Sequence, residues 1–124
     1  MSFPDDRRYT KTHEWVKDLT NGLYEIGLSD YAQKELGDLI YIDPPQAGDE
    51  LKATVSFADL ESVKAVSGIQ SPINGTIKEV NEAVVSTPAL INKSPNESWI
   101  IRAEGSIPEA ILLSAEEYKK LINN

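Results

Sequence analysis

The chain has 124 residues and a mass of 13.7 kDa, the size of one domain around one core. Twelve Lys and Arg against twenty Asp and Glu leave a net charge of −8, which repels phosphate backbones and anionic headgroups, so no nucleic acid and no membrane is expected as a partner. With no cysteine and a single histidine, His13, disulfides, thiolate nucleophiles, iron–sulfur clusters, sulfur-based zinc sites and multi-histidine metal sites are all excluded.

Turn signals recur between short alternating runs, which favours a mainly β fold with peripheral helices. Residues 12–16 alternate, Asn21-Gly22 supplies a hairpin turn, and residues 23–28 return as the second strand. Ser29 or Asp30 caps a short helix through Leu36, ended by Gly37. Residues 38–42 form a strand closed by Pro44-Pro45, a rigid turn that cannot donate to a ladder. Residues 51–60 and 63–66 read as two strands joined near Glu61-Ser62, and residues 76–80 follow the turn Ser71-Pro72-Ile73-Asn74-Gly75. A strand over 98–103 and a final helix complete the order. Ser114 and Glu117 make a capping-box pattern on that helix, and Tyr118, Leu121 and Ile122 share its apolar face. Trp15, Trp99, Tyr24 and Tyr41 are assigned to packing.

No apolar run approaches the roughly 20 residues that span a bilayer. The first residues lack an apolar signal core and carry Asp5 and Asp6. The expected location is cytoplasmic and bacterial, or the mitochondrial matrix for a processed eukaryotic protein.

The informative segment is Phe57-Ala58-Asp59-Leu60-Glu61-Ser62-Val63-Lys64-Ala65-Val66. Lys64 falls just after the strand connection, where its long side chain projects from a stiff hairpin into water and a modifying enzyme can reach it. Residues 21–62 hold nine acids against Lys34 and Lys52, nearly all of the net −8, so an acidic face is expected there.

Glu61-Ser62-Val63-Lys64-Ala65, with Gly48-Asp49 upstream and Ser71-Pro72 and Gly75 downstream, resembles the lipoyl-attachment region of the glycine cleavage system H protein family. The resemblance extends through Tyr9-Thr10-Lys11-Thr12-His13-Glu14-Trp15-Val16, Gly27-Leu28-Ser29-Asp30-Tyr31-Ala32-Gln33, Leu36-Gly37-Asp38, Glu79-Val80-Asn81-Glu82-Ala83 and Ala115-Glu116-Glu117-Tyr118, in order and spacing. It implies a barrel-sandwich hybrid of the lipoyl/biotinyl-carrier kind, with residues 1–124 as a single lipoyl-carrier domain and residues 1–8 as a flexible lead. Lys64 is then the site of lipoic acid in amide linkage, and Glu61, Ser62, Val63 and Ala65 shape what the lipoyl-attaching enzyme recognises.

The resemblance further implies a monomeric, non-catalytic carrier. Glycine decarboxylase loads an aminomethyl group, aminomethyltransferase removes it, and dihydrolipoyl dehydrogenase reoxidises the dithiol. Thr12 and Glu14 match positions that hold the loaded arm in a surface cleft, where a carboxylate suits a cationic amine. Gly68 stands where many members have an aspartate, which implies a less tightly held arm, and residues 94–99 are shorter and less glycine-rich than usual.

His13-Glu14 lacks the second histidine of an H-E-x-x-H site, so His13 is assigned a structural role. A relay delivering lipoyl groups to other complexes would keep Lys64 as well. Biotin carriers usually flank their lysine with methionine, whereas the only methionine here is Met1. A Schiff-base lysine needs a desolvated amine, and Glu61 disfavours that at Lys64. An unmodified interaction module of the same shape is the remaining alternative.

Overall fold

The computed structural model describes residues 1–123. Strands β1 (Arg8–Tyr9), β2 (Glu14–Asp18), β3 (Leu23–Leu28), β4 (Leu39–Asp43), β5 (Glu50–Leu51), β6 (Ser56–Ser62), β7 (Val66–Gln70), β8 (Asn74–Val80) and β9 (Ile101–Ser106) form two antiparallel sheets. One is six-stranded, in the order β1-β2-β3-β9-β8-β5, and the other is three-stranded, in the order β4-β6-β7. Helices α1 (Asp30–Leu36), α2 (Glu82–Ser86), α3 (Ala89–Lys93) and α4 (Ala115–Ile122) are short, so the fold is mainly β. Among the described residues no helix is long and apolar enough to cross a membrane.

The local signals act as their chemistry dictates. Asn21 and Gly22 both adopt positive φ, 57° and 75°, and bring β3 back along β2. The Ser29 hydroxyl accepts the Ala32 N–H at the start of α1, and Gly37 ends that helix at φ 77°. Ser114 and Glu117 form a complete capping box on α4.

Several expectations need correction. The strand expected over 51–60 is broken, because Thr54 takes φ 71° and donates its N–H to the Ser71 carbonyl as the chain passes between sheets. The strand expected over 63–66 starts only at Val66. That expected over 98–103 starts at Ile101 and runs to Ser106. Helices α2 and α3 were not anticipated: each has five residues, and neither has a side-chain cap.

An aliphatic core draws Ile26, Ile77 and Ile101 from the larger sheet and Ile42, Leu60 and Ile69 from the smaller one, all essentially solvent-free. A second cluster joins Tyr9, Trp15, Ala115 and Tyr118, with Phe3, Trp99, Leu113 and Ile122 against it. Tyr9 and Tyr118 stack at 4.8 Å between ring centroids. The apolar face of α4 thus packs through Tyr118 and Ile122, while Leu121 is left partly exposed. Tyr41 does not pack as expected; it is 54% exposed on the outer face of β4.

The segment expected to be a flexible lead makes specific contacts. Phe3 sets its ring edge-on to Tyr9 and Tyr118, and the Tyr9 hydroxyl donates to the Pro4 carbonyl. Arg7 is buried over the Trp15 ring, 4.5 Å from its centroid, and donates to the Asn96 carbonyl. The 94–99 loop also receives the Trp15 indole N–H at the Pro95 carbonyl. Gly75 and Gly105 face each other across β8 and β9, so closely that a Cβ on either would collide with the main-chain carbonyl of Glu104 or Asn74.

Candidate functional site

Strands β6 and β7 pair from Ser56↔Gln70 to Glu61↔Val66, leaving a turn that places Lys64 at the apex of the hairpin rather than just beyond it. Ser62 builds that turn. Its N–H donates to the Ala65 carbonyl at 2.8 Å, and its hydroxyl accepts the N–H groups of Lys64 and Ala65, each at 3.1 Å. The same hydroxyl lies 3.2 Å from the Ala65 carbonyl, to which it can donate. The Val63 N–H reaches the Asp38 carbonyl and ties the apex to the start of β4.

Burial alternates along the hairpin. Ser62 points inward and is nearly solvent-free, whereas Glu61, Val63, Lys64, Ala65 and Val66 are exposed. Glu61 lies across from Val66 on one side and Tyr41 on the other. The Lys64 ammonium touches only the main-chain carbonyl of Glu35, at 3.5 Å, and forms no ion pair among the described residues.

Beside the hairpin lies a surface cleft of about 150 Å³ between the approach to β2, helix α1 and strand β7. Thr12, Glu14 and Gly68 line it together, joined by His13 and Glu35. Glu14 is only 2% exposed. Its Oε1 accepts the hydroxyls of Thr10 at 2.7 Å and Thr12 at 2.5 Å, and its Oε2 accepts the Gln70 N–H at 3.3 Å. Burial raises its pKa above the usual carboxylate range, and these donors work in the opposite direction.

Thr10 and Gln70 were missed by sequence reasoning. Thr10 stands in the quoted opening segment and could have been found there, but nothing local ties Gln70 to Glu14. His13 is anchored to the aromatic cluster while also lining the cleft. It sits at φ 78° with Nδ1 2.7 Å from the Tyr118 hydroxyl, which is itself 2.7 Å from the Ser29 hydroxyl. Burial lowers the His13 pKa and the nearby Glu35 charge opposes this; burial also pushes the Tyr118 hydroxyl up to about 12.

At position 68 a side chain would require the exposed Ser56 hydroxyl to shift. A Cβ there would lie 2.5 Å from the Ser56 hydroxyl and 3.8 Å from an Asp59 carboxylate oxygen. The hairpin therefore presents an amine at its tip, and the neighbouring cleft presents buried and exposed carboxylates, a pairing suited to holding a tethered cation.

The Glycine cleavage H-protein family profile matches residues 7–124. The chain belongs to the glycine cleavage H-protein family. The family consists of lipoyl-bearing carrier components of the glycine cleavage system. The glycine cleavage system H protein of Bacillus velezensis is 44% identical over 124 residues, covering 98% of this chain and 97% of that protein. The glycine cleavage system H protein of Carboxydothermus hydrogenoformans is 43% identical, covering 96% and 93%. A crystal structure of a glycine cleavage system H protein from Mycobacterium marinum superposes with a TM-score of 0.91 at 33% identity, over 98% of this chain and 100% of that one. The two open sheets are this family's barrel-sandwich hybrid, as the resemblance implied.

Proposed function

We propose that the chain is a single lipoyl-carrier domain that holds lipoic acid in amide linkage on Lys64 and carries the aminomethyl group of glycine without catalysing its chemistry. The observation that carries this reading is the apex position of Lys64, exposed and without an ion pair among the described residues, beside a cleft holding Glu14. Attachment would remove the lysine charge and supply a cyclic disulfide, one sulfur of which would take the aminomethyl carbon while the other leaves as a thiol, the electron pair coming from decarboxylated glycine. The chain's own residues position that group: Ser62 stiffens the turn, and Glu61, Val63 and Ala65 form the surface that the lipoyl-attaching enzyme meets.

Between partners, Thr12 and Glu14 hold the cationic amine out of bulk water. Tethering raises the local concentration of cargo at glycine decarboxylase, aminomethyltransferase and dihydrolipoyl dehydrogenase in turn. The acids exposed on the smaller sheet, Asp43, Asp59 and Glu61, steer basic patches on these enzymes toward a monomeric carrier. The relatives named above come from bacteria, which supports the cytoplasm as its compartment.

The test is intact-mass measurement of protein produced beside an active lipoyl-attaching enzyme, followed by glycine–bicarbonate exchange with glycine decarboxylase. We expect one lipoyl increment, lost in Lys64→Arg together with all exchange. A permanently bare Lys64 overturns the reading. Full lipoylation without exchange leaves only a lipoyl relay.

A further inference from the structure

Resting on that carrier reading, we propose that Glu35 is the second carboxylate for the cargo ammonium, a positioning residue that shares the cation with Glu14. Both carboxylates line the same cleft, but their states differ. Glu14 is buried and already accepts three hydrogen bonds, so few of its lone pairs remain for a newcomer. Glu35 is exposed at the end of α1, close enough to His13 and Tyr31 for its charge to act on both.

Two further observations single it out. The Lys64 ammonium lies 3.5 Å from the Glu35 main-chain carbonyl, so the root of any group attached to Lys64 starts over this residue. Gly68, on the β7 side of the cleft, offers no acid, and a side chain there would displace the Ser56 hydroxyl. Glu35 is thus the exposed acid of the cleft, held beside Tyr31 near the root of the arm. Its contact with the ammonium is water-exposed and correspondingly modest and salt-sensitive.

The experiment compares wild type, Glu35→Gln and Glu35→Asp. Each is confirmed as lipoylated by intact mass and as folded by thermal melting, then loaded with glycine and decarboxylase. Without aminomethyltransferase the carbon–sulfur bond of the cargo hydrolyses slowly: one water enters, and the thiol, formaldehyde and ammonium leave. We expect Glu35→Gln to release formaldehyde two- to five-fold faster than wild type, with Glu35→Asp between them. Raising the salt should speed release from wild type but not from Glu35→Gln. As a readout independent of turnover, the side-chain carboxyl ¹³C resonance of Glu35 should move on loading. Equal release rates, or an unmoved resonance, overturn the role of Glu35 while leaving the carrier reading intact. Failure to lipoylate or load the wild type instead defeats the carrier reading itself.

Discussion

The Lys64 hairpin and the Tyr9–Trp15–Tyr118 cluster anchor their chains by opposite means. At the hairpin, one small hydroxyl on Ser62 organises a turn whose other side chains stand in water. In the cluster, three large aromatic side chains are wholly buried, and the Trp15 N–H and Tyr9 hydroxyl each find a carbonyl. Polar bonds give the tip a shape while leaving it accessible; apolar burial gives the cluster stability and closes it to solvent. A tip proposed as the site that several enzymes visit and a cluster that holds the fold together therefore make different demands on the same small chain.

The contrast can be broken by mutation. Trp15→Ala removes the largest side chain of the cluster, with its bond to Pro95 and its contact with Arg7, and should destabilise the fold by about 3–5 kcal/mol in denaturant unfolding. The fraction still folded should be lipoylated normally. Ser62→Ala strips the turn of its side-chain bonds and should lower global stability by only about 1–2 kcal/mol, while slowing lipoylation of Lys64 several-fold in a timed mass assay. If it lowered stability as much as Trp15→Ala, the proposed division between tip and cluster would be wrong.

The smallest effect belongs to His13, which joins the cleft to the cluster through Tyr118. Its folded pKa lies below the ordinary 6.5, so the unfolded chain takes up the proton first as the solution is acidified. Stability from this group is fully present above pH 6.5 and is lost as pH falls through 6.5 toward the lower folded value. The group is half-buried, so solvent screening keeps this loss the smallest of the three, read from paired unfolding curves at neutral and mildly acidic pH. His13→Asn suits the positive φ and should flatten this slope as the pH falls from neutral through 6.5.

The parts of the molecule legible in the sequence are those fixed by neighbouring residues. Asn21-Gly22 announced the β2–β3 hairpin, Ser29 and Gly37 bounded α1, and the Ser114–Glu117 box opened α4. The stretch around Lys64 showed a hairpin, yet its apex was misplaced because Ser62, inward-facing and hydrogen-bonded across the turn, carries β6 through the polar pair that looked like a break. Helices α2 and α3 are held by tertiary packing of Val84 and Ile91, with no cap to mark them. The Glu14 environment was half legible. Thr12 lies two residues away, whereas the Gln70 N–H comes from 56 residues along the chain, a distance no local pattern spans. Tyr41 has the composition of a packing residue in an alternating strand, but it falls on the face that nothing covers.

The opposed glycines of β8 and β9 carry a consequence for how this chain can vary. Since a methyl group at either place would strike the opposite backbone, shrinking a neighbouring side chain opens no space for it. In a saturation library selected only for folding, positions 75 and 105 should return the wild-type residue almost without exception, even where the surrounding core accepts many substitutes.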